Sequence, residues 1–142
     1  MSYEYREKKT VAVLSDKLEL PTAFNVLGHL AQAIGAHADP QIMGRPALTD
    51  RSGNLHKGIA RYGFIILKTN ASKIRQAIGQ GRTNPKLLMI DFPRQMLDTR
   101  HDDELCSWLL EADETSLEYL GVAFHGNAED VDAICRKFSL WK

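Results

Sequence analysis

The stretch Thr10–Gly35, TVAVLSDKLELPTAFNVLGHLAQAIG, decides the fold. Its β-branched apolar start predicts a buried first strand over Val11–Leu14, with Asp16 just past the carboxyl end. Pro21 suits the first turn of a following helix, where its missing N–H would have no intrahelical partner, and Gly35 suits the close of that helix. Leu20, Ala23, Phe24, Leu27, Leu30, Ala31 and Ile34 fall on one stripe at helical spacing, which predicts the core face. A buried strand feeding an amphipathic helix opens an α/β layer fold.

The rest of the 142 residues alternates in the same way, with no internal repeat or low-complexity segment. A connection over 36–46 leads to a short strand at Ala47–Thr49 and a hairpin turn at Asp50–Asn54. Tyr62–Thr69 predicts a second strong strand, and Asn70 an N-cap for a helix carrying Ile74 and Ile78 that ends in the GQGRTNP loop. Lys86–Phe92 predicts a strand stopped by Pro93. Asp102 or Asp103 opens a helix through Leu105, Trp108, Leu109 and Ala112, because carboxylates favour the positive end of the helix dipole. Leu117–Phe124 returns to strand. Asn127 caps a last helix with Val131, Ile134 and Cys135 inward, and Phe138–Trp141 forms a terminal edge strand. The expected fold is a single three-layer α/β domain over residues 1–142, a mixed sheet of five or six strands with about four helices.

Composition narrows the partners. The 18 Lys and Arg balance 18 Asp and Glu, so no chain-wide field favours nucleic acid or an anionic membrane. The charged N-terminus lacks the apolar core of a signal peptide, and no apolar run is long enough to span a bilayer, so a cytoplasmic protein without membrane association is expected. Charge is nonetheless uneven: Arg51–Lys86 holds eight Lys or Arg and no carboxylate, while Asp91–Asp132 holds twelve carboxylates against two arginines. The basic segment 51–86 is either a patch for RNA backbone or a set of partners for the acidic half, within the fold or across a homodimer. Cys106 and Cys135 have neither CxxC nor zinc-ligand spacing and are expected as reduced, partly buried thiols.

Among histidines 29, 37, 56, 101 and 125, none forms HxxxH or HExxH, so no metal site is expected. His29 lies on the helix face opposite Leu27, beside Asn25 and just beyond a strand's carboxyl end, where α/β folds commonly place ligands. It is either a base or hydrogen-bond donor of a site or part of an ordinary solvent-facing polar face. Asp16 either orients a ligand or holds a turn. Asp50 and His56 flank the hairpin turn and either face a cleft or decorate the loop. Asp91 interrupts an apolar strand, so it is a site residue or a structural acid with partners. There is no GxSxG elbow, Walker loop or GxGxxG after a strand, and no cofactor is expected.

Asp16, Pro21, Asn25, His29 and Gly35, followed by LTDRSGNLHKGI, IDFPRQ and LEYLGVAFHG, resemble an uncharacterised bacterial family of domains of unknown function. In its opening strand, aspartate and helix that family is similar to the type 2 peptidyl-tRNA hydrolases, which implies their fold and a cleft. His29 and Asp16 match the hydrolases' histidine and aspartate. Their glycine-lysine pair is replaced by Pro21, Thr22 and Ala23, and LGVAFHGNAEDV stands where they carry a glycine-threonine motif, so the resemblance does not extend to ester hydrolysis.

Three functions follow as expectations. The first is a binding module that holds a small polar ligand around Asn25, His29, Asp50 and His56. The second is a hydrolase of an acyl ester or amide, such as peptidyl-tRNA, with His29, Asp16 and Asp91 as catalytic candidates. The third is a dimerising interaction domain.

Overall fold

The structure, a computed structural model, describes residues 4–142. The first strand, β1 (Glu4–Ser15), runs well upstream of the apolar run, through charged residues that the hydrophobic pattern excluded. It is central in a five-stranded mixed sheet of order β5-β6-β1-β4-β7, with β4 at Tyr62–Thr69, β5 at Leu88–Pro93, β6 at Tyr119–Asn127 and β7 at Ser139–Leu140. β1 and β4 are parallel, with Val11 opposite Ile65 and Ser15 opposite Thr69. β6 is antiparallel to both β1 and β5, and the two-residue β7 closes the other edge antiparallel to β4. β2 (Ala47–Thr49) and β3 (Leu55–Lys57) form the expected separate hairpin.

Among the described residues, five α-helices surround the sheet: α1 (Leu20–His37), α2 (Ala71–Arg82), α3 (Gln95–Asp98), α4 (Asp102–Glu111) and α5 (Ala128–Cys135). On one face Ala23, Val26, Leu30 and Ile34 of α1 pack on Ala12, Leu14, Phe92, Leu120 and Ala123. On the other, Ile74, Ala77 and Ile78 of α2 and Val131, Ile134 and Cys135 of α5 pack on Val11, Val13, Val122 and Phe124. These are the three layers the sequence implies, and the long apolar run of β1 is explained by burial on both faces.

Several local expectations are corrected. The buried stripe of α1 is rotated toward Val26, which leaves Leu20 54% and Phe24 64% exposed. Gly35 lies inside α1, which continues to His37 with Ala38 as its C-cap. The GQGR segment is the last turn of α2 rather than a loop. Asn70 caps α2 by accepting from the Lys73 N–H at 2.9 Å, whereas Asn127 makes no side-chain cap bond to α5. α4 buries no residue: Trp108 is 43% exposed and Leu110 82%. The single-turn α3 has too few residues for a periodic signal and was not anticipated.

The two-sided charge is partly spent within the fold. Glu114 Oε1 lies 2.9 Å from Arg75 and 3.4 Å from Arg82, and accepts from the Tyr119 hydroxyl at 3.1 Å. Arg75 also donates to the Glu114 and Leu117 carbonyls, so this cluster fastens α2 to the turn that leads into β6. Arg94 and Glu118 make a bidentate pair at 2.6 and 3.1 Å. Elsewhere Arg61 stacks on the Tyr62 ring and Lys68 lies over Trp141.

Candidate functional site

α1 lies over β5, β6 and β1, and beyond Pro93 the chain turns through α3 and the 99–101 link into α4. Between α1 and this returning segment is a cavity of about 430 Å³. Leu30, Ile90, Phe92, Met96 and Leu105 provide its apolar wall, with Ala33 opening space on the α1 side. His29, His37, Thr99, Arg100, His101 and Asp102 supply polar groups. The volume lies within the roughly 300–1,000 Å³ of small-molecule pockets, and an apolar wall with a few convergent polar groups is their usual composition.

Local structure fixes several of these groups. The His29 ring packs against Phe92 with centroids 6.0 Å apart and planes inclined at 41°. His101 is the N-cap of α4, and its Nδ1 accepts from the Glu104 N–H at 3.3 Å. That bond assigns the ring proton of neutral His101 to Nε2, leaving an N–H donor for another partner. The Thr99 hydroxyl donates to the Gln95 carbonyl at 2.8 Å, which closes α3. Among the described residues, neither Arg100 nor Asp102 makes an ion pair.

The candidates read from the sequence are distributed unevenly around this cavity. His29 lines it, whereas Asp91 reaches it only as part of β5: between Ile90 and Phe92, which face α1, its carboxyl points to the opposite face of the sheet, toward Arg82 and Glu114. The Asp91 carboxyl is held above the usual carboxylate range, chiefly by burial, while Arg82 partly offsets that effect and Glu114 reinforces it. Asn25 instead belongs with Phe24, Gly28, His29 and Gln32 to a more open depression along α1. Asp16 is exposed where β1 ends, its N–H bonded to the Thr69 carbonyl at 2.9 Å.

Asp50 and His56 are absent from the lining and are engaged with each other at 3.1 Å. Asp50 also accepts from the N–H groups of Ser52 and Asn54, at 2.9 and 3.0 Å, and organises a turn in which Gly53 takes φ +91°. The His56 contact, followed by those of Asn54, draws the Asp50 carboxyl below its ordinary range.

Sequence reasoning passed over His37, Thr99, Arg100 and His101 as lining residues. The usable signal was the run TRHDD shortly after a strand's carboxyl end, where α/β folds commonly bind ligands. A smaller cavity of about 310 Å³ lies past the end of α1, lined by Lys8, His37, Asp39, Lys86, His125 and Asn127. There Thr10 Oγ1 and His125 Nδ1 are 2.9 Å apart, and burial, then Lys8, lowers the His125 pKa. Among the described residues, no group of three His, Cys, Asp or Glu is placed to hold a metal, and no helix is long and apolar enough to cross a membrane.

The fold recurs in a solved structure of a protein of unknown function from Agrobacterium tumefaciens strain C58. The two match with a TM-score of 0.84 at 19% identity, over 96% of this chain and 98% of that one, which shows a shared fold. No curated protein matches the sequence. Residues 8–142 match the family described as protein of unknown function (DUF2000), and with nearly the whole chain so matched, the protein belongs to that family.

Proposed function

We propose that this domain binds a small molecule in the cavity between α1 and the α3–α4 segment, without transforming it. The observation that carries this reading is the cavity's construction. A pocket of about 430 Å³ joins an apolar wall to polar groups from α1 and from residues 99–102, and among the described residues Arg100 and Asp102 make no ion pair. Apolar contacts would supply most of the affinity, and the polar groups would set orientation. His29 serves here as a wall and a hydrogen-bonding group, because its ring is seated on Phe92.

The test is a thermal-shift screen of a broad metabolite library against the wild type and Ala33→Trp, which places an indole in the cavity. Ligands that stabilise the wild type and not Ala33→Trp support the reading. A library that stabilises neither protein, or both equally, overturns it.

A further inference from the structure

The geometry points to a zwitterionic ligand: an amino acid with an apolar side chain, its carboxylate held by Arg100 and His101 and its ammonium by Asp102. This rests on the cavity being a ligand site and names what it takes. Arg100 and Asp102 flank His101 at the mouth of α4, so a cation, an N–H donor and an anion follow one another along the same stretch of cavity wall. A free amino acid presents the complementary set, with carboxylate and ammonium on one carbon and the side chain leading away.

Each group has a reason to be available. Arg100 carries five N–H donors in a fork that suits a carboxylate, and it makes no ion pair among the described residues. The His101 ring accepts at Nδ1 from the Glu104 N–H, so its other nitrogen is the donor. Asp102 begins α4 and is likewise unpaired among the described residues.

The Asp91 carboxyl lies on the other face of β5, in the field of Arg82 and Glu114, so Asp102 is the carboxylate that meets the ligand. A simple anion would meet Asp102 and a simple cation would meet Arg100, whereas a zwitterion satisfies both. The apolar wall formed by Leu30, Ile90, Phe92 and Met96 then receives the side chain.

Calorimetric titrations with two matched series provide the test: L-phenylalanine, L-phenylalaninamide and 3-phenylpropionate, and the same three forms built on leucine. In at least one series the amino acid should bind about tenfold or more tightly than either truncated form, as expected for loss of one charge-assisted hydrogen bond. Arg100→Gln should erase the preference over the amide, and Asp102→Asn the preference over the deaminated acid. Both residues are exposed, so the variants should keep the fold.

Equal affinity for all three forms, lost in Ala33→Trp, would overturn the zwitterion assignment and leave the pocket standing. Preferences that survive both substitutions would overturn it too. Absence of binding in both series would also overturn it, with the pocket itself judged separately by the metabolite screen.

Discussion

Two glycines in the last turns of α2, Gly79 and Gly81, should respond oppositely to alanine. Gly79 is exposed, and a Cβ there meets nothing within 4 Å. Gly79→Ala should therefore show the ordinary helix-propensity gain of about 1 kcal/mol, a rise in Tm of about 2–4 °C for a domain of this size. Gly81 is buried, and its Cβ would stand 2.6 Å from Phe124 Cε1 and 2.7 Å from Met89 Sδ. Ordinary contact begins at 3.4 Å, so the ring must retreat by about 0.8 Å. Met89 can swing aside, but Phe124 is fully buried beneath the helix and cannot do so cheaply.

Overpacking of this kind costs about 1–3 kcal/mol, against the same gain of about 1 kcal/mol in propensity. Gly81→Ala should be neutral to about 2 kcal/mol destabilising, and the gap between the two variants should be about 1–3 kcal/mol, because propensity cancels in the comparison. Urea unfolding followed by circular dichroism measures both. Equal stabilisation by the two substitutions would refute the close approach of α2 to β6.

Asp91→Asn should stabilise the protein at neutral pH and leave it unchanged in acid. With the folded pKa raised above the unfolded one, chiefly by burial, the stability that the protonated Asp91 carboxyl contributes is lost as pH rises through the folded value; unfolding midpoints from about pH 3 to about pH 7 should show the variant's advantage over the wild type growing with pH. Leu30→Ala should cost about 2–5 kcal/mol by chemical denaturation, because a fully buried side chain is lost and the cavity beside it widens. A thiol reagent applied to the native protein should label one cysteine: Cys106 is exposed, while Cys135 is buried and its thiol is pushed up to about 12, so peptide mapping should find Cys106 modified.

The layered fold was legible because β1 carries an unbroken apolar run and its neighbours have clear periods: the core of β4 and the inward faces of α2 and α5 stand where the pattern puts them. The orientation of α1 was less legible. Leu20 and Phe24 fit the apolar stripe as well as Val26 does, and only the placement of the helix over β1, β5 and β6 decides which side is buried. The charged start of β1 was hidden because its strand conformation comes from pairing with both neighbours: Glu4 and Lys9 stand opposite Tyr62 and Gly63 of β4, and Lys8 and Lys9 opposite Asn127 and Gly126 of β6.

The candidate site was half legible. His29 was singled out from its place on the helix, but His37, Arg100 and His101 reach the same cavity only because the chain folds back through α3, which no local pattern announces. Asp50 and His56 attract notice as chemical residues, and their mutual contact shows them organising a turn.

Crystals of the protein soaked with metabolite mixtures and with the apolar amino acids test the binding reading most directly. The account predicts ligand density between α1 and the α3–α4 segment, with its polar end at Arg100, His101 and Asp102 and its apolar end on Phe92 and Ile90. Density confined to the open depression beside Asn25, or an empty cavity across the full set of soaks, would contradict it.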